Sequence, residues 1–147
     1  MTVIVWDGKT LAADKQATNS GLKRAVTKIY NINGNLVGFS GDWDYAQSMK
    51  QWLQDGAYPD KFPKHQEDDN KWVGVLLVTP DKKVYKYERS STPMDFTEGG
   101  CMCIGSGRDF AFGALAMGAD AKKAVEIACL YEASCGMGID TLTFEGE

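Results

Sequence analysis

Two rhythms of apolar and polar residues divide the chain. Short apolar runs rich in β-branched residues come first, with "TVIVW" and "KTLAA" on either side of Asp7-Gly8, a pair that favours a tight reversal between strands. They predict a hairpin with strands over residues 2–6 and 9–13. "TKIYNI" and "LVGFSG" flank a second Asn-Gly turn, and "WVGVLLVT" and "KVYKYER" flank "PDK", so two further hairpins are expected. The polar stretch "DKQATNSGLKRA" between the first two reads as a loop.

The period then changes. In "GDWDYAQSMKQWLQDG" the residues Tyr45, Met49 and Trp52 recur at helical spacing, Asp42 stands at the N-cap position and Gly56 ends the run. Residues 57–70 hold Pro59, Pro63 and a charge run, which predicts a surface loop. "FTEGGCMCIGSG" reads as a strand running into a Gly-Ser-Gly turn; "RDFAFGALAMG" and "DAKKAVEIACLYEASC" follow as helices, and "GIDTLTFE" as a last strand. Strands, one helix, strands, a pair of helices and a strand describe an α+β fold of antiparallel sheets, not an alternating parallel α/β sheet. Its 147 residues fit a single domain spanning 1–147.

Composition narrows the function. A net charge of −4 with scattered Lys and Arg argues against a nucleic-acid groove. No apolar run approaches a membrane span and no secretion signal opens the chain, so no membrane partner is expected and the cytoplasm is the default compartment. The 4 cysteines lie mostly in apolar segments, where they read as buried thiols. "CMC" would put Cys101 and Cys103 on one strand face, but the lone histidine, His65, is in the polar loop, so no metal set is expected.

One ordered set of pieces remains: Thr2 behind the initiator Met, a return strand ending in "AAD" at Asp14, Lys28 in "TKIYNI", "LVGFSG" ending at Gly41, a long helix, and "IGSG" with Ser106 opening a late helix. In order and spacing this set resembles the proteasome-like N-terminal nucleophile (Ntn) hydrolases, including proteasome β subunits and the bacterial heat-shock ring peptidase. The resemblance covers nearly the whole chain. It implies a four-layer αββα sandwich of two antiparallel sheets with flanking helices, a homo-oligomeric ring, a peptide or protein substrate and no cofactor. It names no particular ATPase partner.

The chemistry of such a site follows from its residue types. A threonine hydroxyl is a poor nucleophile at neutral pH, and an α-amine with a pKa near 8 can take its proton within the same residue. A lysine nearby disfavours protonation of that amine, and a carboxylate holds the lysine charged and oriented. Lys28 and Asp14 are the candidates for these roles beside Thr2. The resemblance further implies that the Gly41 N–H serves as oxyanion donor, that Ser106 orients the Thr2 amine, and that Phe39 lines the pocket for the residue before the scissile bond. Where the family carries Asp and, three residues on, Ser before Gly, this chain has Glu132 and Cys135, which keep that polarity only in part.

Each piece also has a plainer reading. Asp14 can cap the loop after it, Lys28 can be a solvated strand residue, and Gly105-Ser106-Gly107 can be a capped helix start. The first hairpin is shorter than in the family pattern, which makes its register decisive. A two-residue turn at Asp7-Gly8 pairs Trp6 with Lys9 and sends Thr2 and Asp14 to opposite faces, whereas an even loss shared between the strands keeps them together. Three functions stay open: a threonine-type peptidase needing removal of Met1, a non-catalytic ring-forming or scaffolding subunit, and a small-amide hydrolase using 57–70 as a lid.

Overall fold

A computed structural model describes residues 2–64 and 72–144. His65 and the rest of the 57–70 loop beyond Lys64 lie outside them. Strand β1 (Ile4–Trp6) pairs antiparallel with β2 (Thr10–Asp14) and with β10 (Met102–Ile104), and β11 (Ile139–Thr143) pairs with β2, giving a four-stranded sheet ordered β10-β1-β2-β11. A five-stranded antiparallel sheet runs β5 (Ile29–Ile32), β6 (Asn35–Gly41), β7 (Val73–Val78), β8 (Val84–Tyr87) and β9 (Met94–Asp95). Helix α1 (Trp43–Gln54) follows β6, and α2 (Arg108–Ala116) and α3 (Ala121–Tyr131) lie between β10 and β11. The architecture is α+β with antiparallel sheets, as the pattern predicts.

Three apolar clusters hold these elements. Met49 and Trp52 of α1 pack with Phe39 and Val75 of the larger sheet. Ala121, Ala124 and Ala128 bring α3 close to Val3 and Val5 of the smaller one. Ile4, Trp6 and Leu11 meet Leu36, Leu76 and Val84 in the third cluster, which draws on both sheets. Strand alternation explains the partition, since odd and even positions of residues 3–6 enter different clusters.

Several expectations are corrected. The polar stretch expected as a loop is a hairpin, β3 (Gln16–Asn19) and β4 (Leu22–Ala25), reversed at Ser20 and Gly21, both at positive φ. Its strands are mostly exposed, so no buried face leaves an alternating trace. Thr97–Gly99, within the stretch expected as a strand, is instead a helical turn, leaving only β10 extended there, and the short strand β9 precedes it where the pattern predicts no element. Asp42 sits at the N-cap of α1 but caps no helix N–H; its Oδ2 accepts the Trp72 N–H at 2.6 Å.

The first reversal is also placed differently. Asp7 N–H donates to the Thr10 carbonyl at 3.2 Å, and Asp7 Oδ1 accepts both the Lys9 and Thr10 N–H groups at 2.8 Å. The two-residue loop is therefore Gly8-Lys9, and Trp6 faces Leu11 rather than Lys9. Sliding the partner by two leaves the facing unchanged. Asp14 lies beside Val3, with its N–H donating to the Val3 carbonyl at 3.2 Å, and strict alternation still sends Thr2 and Asp14 to opposite faces.

Candidate active site

Opposite facing does not separate the two residues, because both stand at strand ends and a third side chain from the other sheet lies between them. Lys28 immediately precedes β5, and its carbonyl accepts the Phe39 N–H at 3.0 Å. Its ammonium donates to Asp14 Oδ1 at 2.8 Å and to Thr2 Oγ1 at 3.2 Å. Thr2, Asp14 and Lys28 are each 5% exposed or less. The register criterion drawn from the sequence is thus too strict.

Burying a carboxylate and an ammonium together needs hydrogen bonds as well as the opposite charge. Asp14 has them. Its Oδ1 also accepts the Val3 N–H at 3.1 Å, and its Oδ2 accepts the N–H groups of Gln16 at 3.3 Å and Gly136 at 3.1 Å. The carboxylate ties together β1, β2 and the segment entering β11, so it is far more than the local cap that the plainer reading allows.

A second network reaches the Thr2 backbone from the β10–α2 turn. The Thr2 N–H donates to Ser106 Oγ at 3.2 Å, and the Gly107 N–H donates to the Thr2 carbonyl at 3.1 Å. Gly105 makes this approach possible: at φ +97°, a Cβ there would lie 2.1 Å from the Thr2 carbonyl oxygen. Ser106 Oγ stands 3.2 Å from Ser134 Oγ, which donates to Glu132 Oε1 at 2.7 Å. The Ser134 hydroxyl, and then its backbone N–H, hold the half-buried Glu132 carboxyl below its usual range.

Ser134 is the residue that sequence reasoning missed. Glu132 meets Ser106 through it, and the neighbouring Cys135, in the place where the resemblance expects a hydroxyl, is buried among α3 and β1 side chains and also hydrogen-bonds the Ser106 side chain. Burial, and then the Asp14 charge, raise the Cys135 thiol above its ordinary value. The signal in the sequence is the adjacency itself, a serine one position early in "EASCG".

Thr2 opens on a cleft of about 830 Å³. One wall is the β3–β4 hairpin with Arg24, another is α1, and Lys28, Tyr30, Phe39 and Gly41 complete the lining. Gly41 ends β6 at φ +111°, where a Cβ would stand 2.2 Å from the Trp72 carbonyl oxygen, so no side chain fits. Phe39 is 6% exposed and packs edge-on against Tyr30 with ring centroids 6.0 Å apart. Residues 57–64, the described part of the expected lid, are absent from this lining. Tyr58, Lys61 and Pro63 instead border a separate depression of about 310 Å³ beside Trp52.

The remaining cysteines lie away from this lining. Burial pushes the Cys103 thiol in β10 up to about 12, with the neighbouring Cys101 adding to it. Burial and then Asp14 push Cys129 up to about 12 as well.

Neither a family model nor a curated protein matches the sequence. Solved structures do match the fold. Eukaryotic HslV from Trypanosoma brucei superposes with a TM-score of 0.72 over 99% of both chains at 20% identity. BPH from Thiobacillus denitrificans does so with a TM-score of 0.68 over 99% of both chains at 18% identity. BPH in complex with epoxomicin gives 0.70 over 98% of this chain and 97% of that one, at 16% identity. What these distant sequences share with the chain is its path through space, and that path is the proteasome-like Ntn-hydrolase fold.

Proposed function

We propose that the chain is a threonine-type amidohydrolase that cleaves peptide bonds after the Met1–Thr2 bond has been cut. The observation that carries this reading is the Thr2–Lys28–Asp14 constellation, 3.2 and 2.8 Å across, at the floor of a cleft of about 830 Å³. The freed Thr2 amine takes the proton of its own hydroxyl as Oγ attacks the substrate carbonyl. Lys28, held by Asp14, keeps positive charge beside the amine and favours its neutral form. The Gly41 N–H donates to the tetrahedral oxyanion. Collapse expels the amine product, protonated by the Thr2 ammonium, and leaves an ester on Oγ that water hydrolyses with the same amine as base. Ser106, positioned by Ser134 and Glu132, orients the Thr2 nitrogen, and Phe39 borders the site for the residue before the scissile bond.

The three apolar clusters support a four-layer αββα sandwich in a single domain over 1–147. The family resemblance supports a cytoplasmic homo-oligomeric ring; among the described residues no helix is long and apolar enough to cross a membrane.

Intact mass and peptide-amide hydrolysis test the reading together. Loss of one methionine, turnover, and its abolition in Thr2→Ala are expected. Epoxomicin, the ligand in one BPH structure, is a second probe, and its binding should require Thr2. A fully processed chain with no turnover, or turnover unaffected by Thr2→Ala, would leave a non-catalytic ring subunit as the better description.

A further inference from the structure

Helix α1 turns one stripe of side chains toward the Thr2 cleft. Trp43, Ala46, Gln47 and Lys50 all line it, at the i, i+3, i+4, i+7 spacing of a single helical face. At the end of the stripe the Lys50 ammonium stands 3.9 Å from the centroid of the Tyr30 ring, whose negative π-face attracts a cation. Tyr30 is two residues past Lys28, so the two side chains leave the chain on the same side, roughly 6.6 Å apart along an extended backbone. Lys50 is thereby fixed a short step from the lysine that touches the Thr2 hydroxyl.

The charges of the cleft do not cancel where Lys50 stands. Lys28 is neutralised by Asp14. The cleft's other carboxylates, Asp42 and Asp44, are anionic but stand at the N-terminal end of α1, six to eight residues and roughly 9–12 Å along the axis from Lys50. Among the described residues Lys50 and Arg24 form no ion pair with any carboxylate. A half-buried cation without a counter-ion, beside aromatic rings, suits a carboxylate on a short aliphatic stem.

We propose that the cleft selects peptides with Asp or Glu immediately before the scissile bond, the Lys50 ammonium pairing with that carboxylate while Tyr30 and Phe39 cover its methylenes. The proposal rests on Thr2 being the nucleophile only for its position in the substrate, and binding can be read without turnover.

The test uses the full chain carrying Thr2→Ala, with N-acetylated, C-terminally amidated peptides that differ only in carrying Glu, Gln, Leu or Lys at that position. Fluorescence anisotropy should give the Glu peptide an affinity at least about tenfold above the Gln and Leu peptides, as one charge-assisted hydrogen bond provides. Lys50→Met should bring the Glu to Gln ratio to about one, and Lys50→Glu should favour the Lys peptide. In the active protein, kcat/KM on fluorogenic amides should follow the same order, and losses common to all peptides cancel in the ratio. Equal affinity for Glu and Gln peptides, or a ratio unchanged in Lys50→Met, overturns the proposal. So does preference for a Leu peptide with a free carboxyl terminus over its amidated Glu counterpart, which would mean that the cations read a chain end. Selective binding without turnover would leave the proposal standing and count against the hydrolase alone.

Discussion

Asp14→Asn probes how the site is held together. The carboxylate serves four donors: Val3 N–H and Lys28 on Oδ1, Gln16 N–H and Gly136 N–H on Oδ2. A carboxamide keeps one acceptor oxygen and turns an NH2 group toward one of these donor pairs. Two donors then lose their acceptor, at about 1–3 kcal/mol for each one left buried and unsatisfied. The Lys28 ammonium, 5% exposed, also loses its counter-charge. Together these amount to about 3–5 kcal/mol, the usual cost of breaking a buried pair from one side. Lys28→Met should cost less, about 1–3 kcal/mol, because Asp14 keeps its three backbone donors. Urea unfolding followed by circular dichroism gives both values, and for a chain of this size the Asp14 variant should melt about 10 °C lower. Hydrolysis should be lost in both. An Asp14→Asn variant within about 1 kcal/mol of the parent, or less destabilised than Lys28→Met, would refute the view that this carboxylate anchors the lysine and the strand ends together.

Other expectations follow from the same contacts. Gly41→Ala forces a Cβ to within 2.2 Å of the Trp72 carbonyl oxygen at positive φ; it should cost about 1–3 kcal/mol and lower kcat more than it raises KM. Ser134→Ala removes the link between Glu132 and Ser106; it should lower kcat about 2- to 10-fold, as loss of one hydrogen bond does, and shift the pH profile of kcat, with Ser134→Thr restoring most of both. The Cys103 thiol, raised from 9.0 to about 12 and 1% exposed, should react with a disulfide reagent at pH 8 about a thousandfold more slowly than in the unfolded chain. The fold favours its neutral form, so that contribution to stability is complete below pH 9 and declines as pH rises from 9 toward 12, at about 1.4 kcal/mol per pH unit. Cys103→Ser should flatten this alkaline decline in thermal melts.

Much of the backbone is legible in the sequence because burial writes itself into the pattern. The apolar runs of β5–β6 and β7–β8 and the helical recurrence of Tyr45, Met49 and Trp52 each bury a face, so their spacing carries the element. The β3–β4 hairpin buries almost none, and its polar residues look the same in a strand as in a loop. The Asp7-Gly8 signal is right about a reversal and two residues off in the pairing, since Asp7 itself closes the turn with its side chain.

Residue types and order at the candidate site are likewise readable: Thr2, Asp14, Lys28, Gly41 and Ser106 can be picked out one by one. Their meeting is a matter of tertiary structure. Lys28 comes from one sheet and Asp14 from the other, and the lysine's length lets it reach around the strand ends to both Asp14 and Thr2, which facing rules within one hairpin do not anticipate. That the Ser134 hydroxyl joins the Cys135 thiol at Ser106 depends on how the chain leaves α3. The placing of Lys50 over Tyr30 likewise follows from the packing of α1 on its sheet. Spacing along the chain shows which segments bury a face and which chemical groups are present; packing settles which of those groups touch, because contact distances of about 3 Å depend on strand ends, side-chain reach and the fit between sheets, none of which has a period along the chain.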